Sequence, residues 1–156
     1  MLPKCIIVDI DNILLDSVEL EKLIPTDNSR EGWDNFHKHM DEPKSIPEFS
    51  SLIQRYIHDH DIFFITSRED IGDCREITEK SINMALFGTT TNRFSVNCIH
   101  LLMRPAECYS SSIYVKSKLY DEYIAGKYHV DFALDDNADN ARMWKQKGII
   151  SLLRIM

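Results

Sequence analysis

Apolar positions along the chain follow two patterns: short continuous runs, and the three-and-four spacing of an amphipathic helix. The short runs predict buried strands at residues 5–10, 62–65, 97–103, 132–134 and 149–153. The helical spacing predicts helices at residues 33–40, 47–56, 70–87, 114–124 and 137–147. Strands that alternate with helices predict a three-layer α/β domain with a mostly parallel central sheet. We expect residues 1–156 to form one such domain, with residues 12–47 as a small cap or flap insert.

The composition is that of a globular domain and limits the surfaces it offers. The chain has 18 Lys and Arg residues against 25 Asp and Glu residues, which gives a net charge of −7. Broad coating of nucleic acid needs clustered positive charge and is not expected, although contact with one strand end needs only a local cluster. The four cysteines form no CxxC pair, so we expect reduced thiols. Without a signal-like start or a membrane-length apolar run, we expect a cytoplasmic location and no membrane contact.

Polar side chains stand where the predicted strands end. They are Asp9 and Asp11 after the first strand, Thr66, Ser67 and Arg68 after the second, Arg104 after the third, and Asp135 and Asp136 after the fourth. Because ligands bind beyond the carboxyl ends of parallel strands, we expect these side chains to meet at one edge of the sheet. Four crowded carboxylates repel one another and need a cation, and their hard oxygen atoms suit Mg²⁺. The sequence therefore predicts a magnesium site on Asp9, Asp11, Asp135 and Asp136.

These residue types have the chemistry of phosphoryl transfer. Asp9 can attack phosphorus and carry the phosphoryl group. Asp11 would share the face of Asp9 on a regular strand, where it can protonate the leaving oxygen and then activate water. Mg²⁺, Arg68, Arg104 and a lysine would offset charge on the transferring group, and Thr66 can hydrogen-bond a phosphate oxygen.

Each element also has a purely structural explanation. A single Asp-x-Asp is a weak signal, and Asp135-Asp136 before a helix can serve as a helix cap. The segment at residues 66–68 can merely begin the following loop. The combination favours a catalytic site, since each element falls in order at a predicted strand end.

In this order the residues resemble the four motifs of the haloacid dehalogenase superfamily of phosphotransferases. Asp9-Ile10-Asp11 is similar to its first motif, Thr66 to its second, Lys116 to its third and Asp135-Asp136 to its fourth. The resemblance implies a Rossmann-like domain with a minimal cap, in which Asp9 is the nucleophile and Asp11 is the acid and base. It also implies that Lys116 contacts the nucleophile and the phosphate. Asp136 would be the more direct metal ligand of the acidic pair, and Asp11 would offer the metal its backbone carbonyl.

A narrower resemblance, to the 3′-phosphatase domain of phage-type polynucleotide kinases, covers nearly the whole chain. It depends on residues 29–34, 66–69, 102–104, 115–120 and 133–149. It implies that Arg30 is a catalytic arginine and that Ser67, Arg68 and Arg104 contact the phosphate. The implied activity is removal of a terminal 3′ phosphate from a polynucleotide with Mg²⁺ as cofactor. A small-molecule phosphatase such as a 5′(3′)-nucleotidase is one alternative, and a binding protein without turnover is another.

The chain departs from these motifs at a few positions. Asn12-Ile13 stand where the superfamily has Gly-Thr, and Ser67 replaces a glycine. Ser112 stands where the polynucleotide kinase domain has an aspartate, four residues before Lys116. The five glycines cannot form a P-loop, so the kinase half is absent from this chain and a separate kinase or ligase is a candidate partner.

The insert contains two aromatic residues with two possible roles. Trp33 and Phe36 can stack on a nucleic acid base, as in single-strand binders, or they can pack the insert onto the domain. We favour packing.

Overall fold

The computed structural model describes residues 1–156, and a five-stranded parallel sheet forms its centre. The strands are β1 (Lys4–Val8), β2 (Leu15–Asp16), β3 (Lys44–Ser45), β4 (Asp61–Asp70), β5 (Ile99–Pro105), β6 (His129–Asp135) and β7 (Ser151–Leu153). The helices are α1 (Val18–Glu21), α2 (Arg30–Lys38), α3 (Pro47–Tyr56), α4 (Cys74–Phe87), α5 (Ser112–Tyr123) and α6 (Ala138–Gln146). The order across the sheet is β5-β4-β1-β6-β7, and β2 and β3 form a separate antiparallel ribbon.

Alternation along the central strands divides the core between the two faces of the sheet. Ile6 and Val8 of β1 belong to one hydrophobic cluster, whereas Cys5 and Ile7 belong to the other, because successive side chains of a strand point to opposite faces. The first cluster also contains residues of α3 and α4, and the second contains residues of α5 and α6. Helices cover both faces, which confirms the predicted three-layer α/β architecture.

Residues 12–47, the predicted insert, contain the β2–β3 ribbon, α1 and α2. α2 begins at Arg30 rather than at the predicted residue 33. The Ser29 hydroxyl accepts a hydrogen bond from the Gly32 amide at 3.1 Å and so caps the helix one turn earlier. The insert therefore presents a capped helix, α2, close to the main domain.

The aromatic residues of α2 pack against each other and against the core. Phe36 is buried, and Trp33 contacts it edge to face with ring centroids 5.4 Å apart. The indole Nε1 of Trp33 donates a hydrogen bond of 2.6 Å to Oδ1 of Asn28. These contacts support packing as the role of both aromatic side chains.

β1 ends earlier than predicted. It stops at Val8, so Asp9 and Asp11 lie in the turn that follows and do not share a face of a regular strand. The chain turns there because the Ile10 carbonyl accepts hydrogen bonds from the amides of the three residues 13–15. The predicted relation of the two aspartates along a strand is wrong.

β4 is longer than predicted and reaches Asp70, where a helix was expected to begin. Beyond Thr66 it keeps its pairing with β5 through a register shift, with Glu69 opposite Arg104. α4 consequently begins only at Cys74. The extension places Ser67 and Arg68 at the carboxyl edge of the sheet.

None of the helices is both long enough and apolar enough to cross a membrane. The cytoplasmic location stays a prediction.

Candidate active site

A single large cavity lies at the carboxyl edge of the sheet. It has a volume of about 1320 Å³. The predicted site residues that line it are Asp9, Asp11, Arg30, Ser67, Arg68, Arg104, Lys116 and Asp136. Thr66 and Asp135 lie beside them and are almost fully buried. The predicted residues thus come together at the expected edge.

Lys116 joins the ends of β1 and β6. Its Nζ lies 3.1 Å from Oδ1 of Asp9 and donates a hydrogen bond of 2.8 Å to Oδ2 of Asp135. α5 supplies this side chain from a position that is only 2% exposed. Burial alone would lower the pKa of the ammonium, but Asp9 and Asp135 outweigh it and raise the pKa of Lys116 above its ordinary value. Lys116 is therefore a fixed positive charge against Asp9.

Three carboxylates form a cluster with the geometry of a cation site. Oxygen atoms of Asp9, Asp135 and Asp136 lie within 4.8 Å of one another. Burial is the main cause that raises the pKa of Asp9 well above its ordinary value; Lys116 opposes the rise, and Asp135 and Asp136 add to it. A divalent cation relieves such repulsion, and a donor set of carboxylate oxygens suits Mg²⁺. The residues present therefore fit a magnesium ion.

The two acids at the end of β6 have different surroundings. Both oxygens of Asp135 are used within the chain, since Oδ2 accepts from the lysine and Oδ1 accepts from the Asn137 amide at 3.0 Å. Asp136 lines the cavity, and its Oδ2 lies 3.4 Å from Nδ2 of Asn12. The N-cap residue of α6 is Asn137, so neither Asp135 nor Asp136 serves as the helix cap. Of the pair, Asp136 has more oxygen surface free for a ligand.

Asp11 is held by an arginine and lies outside the cluster of three carboxylates. Nε and Nη2 of Arg68 donate hydrogen bonds of 3.0 and 2.7 Å to its two oxygens, and the Ser17 hydroxyl donates a third at 2.6 Å. Burial would raise the pKa of Asp11, but these donors outweigh it and hold the pKa below its ordinary value. The guanidinium that was predicted to contact phosphate therefore contacts Asp11 in this structure.

Thr66 and Ser67 have distinct partners at the bend in β4. The Thr66 hydroxyl accepts a hydrogen bond from the Arg68 amide at 3.1 Å. The Ser67 and Ser112 hydroxyls lie 2.6 Å apart, and Nδ2 of Asn140 donates to the Ser112 hydroxyl at 3.2 Å. Ser67 and Ser112 are two of the departures from the family motifs, and the structure shows that they contact each other.

The remaining two predicted arginines differ in their contacts. Nε of Arg104 donates to the Ser67 carbonyl at 2.9 Å, and its Nη1 donates to the carbonyls of Cys108 and Ser110. Arg104 thus holds the loop between β5 and α5 in addition to lining the cavity. Arg30 lines the cavity from the first turn of α2 with an exposed side chain.

Asn12 is a site residue that sequence reasoning treated only as a departure. Its φ is 65°, in the left-handed region that glycine and asparagine tolerate. Its Nδ2 donates to Oε1 of Glu21 at 2.7 Å and lies 3.4 Å from Asp136, and its Oδ1 accepts from the Ser17 amide at 2.9 Å. Asn12 therefore links α1 to the acidic pair. Because the superfamily has glycine at this position, a left-handed backbone could have been predicted there.

Glu21 is a second residue of the site that the sequence did not predict. It lines the cavity from α1, and burial, followed by the charges of Asp136 and Asp11, raises its pKa. Nothing in the sequence marked it, because its approach to the site depends on how the insert folds back.

Fold and site together define the class of protein. A parallel α/β sheet with a buried aspartate, a lysine and an acidic pair at its carboxyl edge is that of a haloacid dehalogenase-type phosphatase, a phosphoric monoester hydrolase. Residues 3–153, nearly the whole chain, match the family described as the polynucleotide kinase PNKP phosphatase domain. The chain belongs to this family.

Several known proteins are similar to this chain. A putative bifunctional polynucleotide kinase/RNA ligase of Autographa californica nuclear polyhedrosis virus is 26% identical over 153 residues, which are 98% of this chain and 19% of that protein. The Pnkp1/Rnl/Hen1 RNA repair complex contains a chain with the same fold, with a TM-score of 0.67 and 21% identity over 99% of this chain and 42% of that one. A second Pnkp1/Rnl/Hen1 complex gives 0.70 and 22% over 99% and 46%.

A class C acid phosphatase from Bacillus anthracis with tungstate bound also shares the fold. Its TM-score is 0.55 at 12% identity, over 95% of this chain and 62% of that chain. The present chain thus spans a fifth to a half of the length of the kinase- and repair-related proteins it matches, and under two thirds of the acid phosphatase.

Proposed function

We propose that the protein is a magnesium-dependent phosphomonoesterase that forms an aspartyl-phosphate on Asp9 and removes a terminal 3′ phosphate from polynucleotides. The observation that carries the proposal is the 3.1 Å contact between Lys116 and Asp9, beside the acidic pair that fits a cation. The family description, a phosphatase domain of polynucleotide kinase, supports the substrate class.

In the proposed reaction, Asp9 is the nucleophile and Asp11 is the general acid and base. An Asp9 oxygen attacks phosphorus, the bond from phosphorus to the leaving oxygen breaks, and Asp11 gives that oxygen a proton. The Lys116 ammonium offsets charge on the phosphoryl oxygens. A water molecule then gives a proton to Asp11 and attacks phosphorus, which releases inorganic phosphate and restores the Asp9 carboxylate.

Arg68 controls the acid strength of Asp11 in this scheme. Its two hydrogen bonds favour the ionised carboxylate of Asp11. Phosphate oxygens in the cavity offer the guanidinium a second partner, and a guanidinium that turns toward them leaves Asp11 a better proton donor. The contact with Asp11 and the predicted contact with phosphate are thus two states of one side chain.

The cation would be held by the carboxylates of Asp9 and Asp136 and by the backbone carbonyl of Asp11. When bound, Mg²⁺ would supply positive charge against the transferring group. Asp135 positions Lys116, since the lysine occupies one of its oxygens. Thr66 would hydrogen-bond a phosphate oxygen. Around this centre, Arg30, Ser67 and Arg104 line the cavity and would contact the substrate.

The proposed partners follow from the relatives. The viral relative is named for polynucleotide kinase and RNA ligase, and the similar structures belong to an RNA repair complex, which supports a separate kinase or ligase acting with this chain. The acidic net charge supports the alternative of a nucleotidase with the same catalytic residues. The departures at Asn12 and Ser112 from the family motifs would favour the binding-protein alternative, but both residues have defined contacts in the site, so that alternative loses support.

The test is a matched panel of substrates. The protein and its Asp9→Asn variant are incubated with Mg²⁺ and a 3′-phosphorylated oligonucleotide, a 5′-phosphorylated oligonucleotide, and 3′- and 5′-mononucleotides, with and without a chelator. We expect the 3′-phosphorylated oligonucleotide to release phosphate faster than the 5′-phosphorylated oligonucleotide and the 5′-mononucleotide, and only with active protein and Mg²⁺. Preference for mononucleotides would support the nucleotidase, and no release from any substrate would support the binding protein.

A further inference from the structure

The cavity is larger than a phosphate group requires. Its volume of about 1320 Å³ exceeds the usual range of ligand pockets, about 300–1,000 Å³. Beyond the carboxylate cluster its walls include α2 of the insert and the loop between β5 and α5. The rest of the substrate, and not only its phosphate, can therefore enter.

The loop between β5 and α5 is fixed by several hydrogen bonds. Nη1 of Arg104 donates to the carbonyls of Cys108 and Ser110. The Glu107 amide donates to Oε1 of Glu69 at 2.8 Å. The loop is therefore tied to β4 and β5 on both sides of one residue, Tyr109.

Tyr109 is the free aromatic side chain of the cavity. It is 81% exposed and lines the cavity wall. Trp33, which also lines the cavity, is already engaged by Phe36 and by Asn28. Arg104 holds the backbone on both sides of this exposed ring, so the position of Tyr109 in the wall is set before a ligand binds, and less conformational entropy is lost on binding.

The charge of the outer walls argues against an extended nucleic acid backbone. Away from the catalytic cluster the carboxylates outnumber the cations: the carboxylates are Asp34, Asp41, Glu69, Asp73 and Glu107, and the cations are Arg30, Lys38 and Arg104. Arg104 keeps its charge although its Nε and Nη1 donate to backbone carbonyls, so the walls remain negative. Binding through several phosphates needs clustered positive charge, which these walls lack.

From these observations we propose that the cavity recognises only the terminal nucleotide of a single-stranded substrate, with its base stacked on Tyr109. The inference builds on the proposed function, since the terminal phosphate is assumed to lie at Asp9. The acidic walls keep the preceding phosphates out, so longer strands gain no further affinity.

The experiment combines a turnover measurement with a binding measurement that needs no turnover. KM and kcat are measured with Mg²⁺ on 3′-phosphorylated strands of one, two, five and ten nucleotides, and on a five-nucleotide strand whose terminal sugar lacks a base. Binding of the same strands with 2-aminopurine as the terminal base is followed by its fluorescence, which stacking quenches. The variants are Tyr109→Ala, Tyr109→Phe and, as a matched control, Tyr123→Ala, another exposed tyrosine outside the cavity lining.

We expect Tyr109→Ala to raise KM and the dissociation constant about tenfold for strands with a terminal base, the size of one base–aromatic stack. Tyr109→Phe, Tyr123→Ala and the strand lacking a terminal base should show no such change. KM should be level from one to ten nucleotides and should depend weakly on salt. Equal binding by Tyr109→Ala, or affinity that climbs with length and falls steeply with salt, would overturn the inference. Quenched binding that depends on Tyr109, without phosphate release from any strand, would uphold the inference and reject the proposed function.

Discussion

The carboxyl and amino edges of the sheet both carry clusters of ionisable side chains, but their acids have different partners. At the carboxyl edge three carboxylates form a cluster, and the ammonium of Lys116 contacts two of them, Asp9 and Asp135. At the amino edge acids face histidines: His60 lies 2.7 Å from Asp59 and 2.6 Å from Asp131, and His100 lies 2.8 Å from Asp61. The amino edge finds its partners within the chain, which suits a structural role. The carboxyl edge keeps an excess of negative charge that a cation can offset, which suits catalysis.

Lys116 should give the largest effect of a single change. Lys116→Met removes the fixed positive charge against Asp9, and we expect kcat to fall about 10²–10³-fold. It also leaves Asp135 buried without its cation, so the free energy of unfolding should fall by about 3–5 kcal/mol. Steady-state kinetics and urea unfolding measure the two effects. Lys116→Arg, which keeps the charge, is the control and should lose less; an unchanged kcat in Lys116→Met would refute the role.

Arg68 should come next. Arg68→Lys loses the two-pronged contact with Asp11, and we expect kcat/KM to fall about 10- to 100-fold. Because Arg68 helps to hold the pKa of Asp11 low, that pKa should rise in the variant. Asp11 acts as a proton donor, so the fall of kcat/KM on the basic side should move to higher pH. Arg75→Lys, at a half-buried arginine that contacts Asp70, is the matched control and should leave the profile in place.

Asn12 should have a smaller effect, which falls on Mg²⁺ binding rather than on the rate of the chemical step. Asn12→Gly keeps the left-handed backbone and removes the contacts with Glu21 and Asp136. Half-saturation by Mg²⁺ should then need a few times more ion, about the value of one hydrogen bond. The measurement is the shift of the unfolding temperature with Mg²⁺, which needs no turnover. Asn12→Ala should lose stability as well, by about 1 kcal/mol, because alanine is strained at positive φ. Identical Mg²⁺ titrations for the native chain and Asn12→Gly would rule out this role.

His60 should have the smallest effect on activity and a clear effect on stability. Burial lowers the pKa of His60, but Asp131 and Asp59 outweigh it and raise the pKa above 6.5. The stabilisation is therefore fully present below about pH 6.5 and is lost as the pH rises through the raised pKa. We expect His60→Asn to lose about 1–3 kcal/mol at low pH and less at high pH, with kcat unchanged. A loss that is equal at every pH would show that packing, and not charge, gives His60 its role.

The sequence predicted the sheet because the strands that form it are apolar. Cys5–Val8 and Ile62–Ile65 lie in the core, so their composition reports burial directly. The extension of β4 to Asp70 could not be predicted, because residues 67–70 are polar and only the last two, Glu69 and Asp70, pair with β5, after a register shift. The end of β1 at Val8 depends in the same way on the turn that follows it.

For the site, position along the chain was easier to predict than contact. Polar residues at strand ends predicted which side chains meet, and Asp9, Lys116 and Asp135 do meet. The partner of Arg68 was not predictable, since a guanidinium near both a carboxylate and a phosphate site can serve either. The contact of Ser67 with Ser112 spans 45 positions of sequence and becomes visible only in the folded chain.

The proposed mechanism requires Asp9 to carry the phosphoryl group. A 3′-phosphorylated oligonucleotide with a radioactive terminal phosphate is mixed with excess protein and Mg²⁺, and the reaction is quenched with acid within one turnover. We expect labelled protein from which hydroxylamine releases the label. The label should be absent from Asp9→Asn and should persist longer in Asp11→Asn, because water activation is slowed. Full turnover with no labelled protein, or label that remains in Asp9→Asn, would exclude Asp9 as the nucleophile.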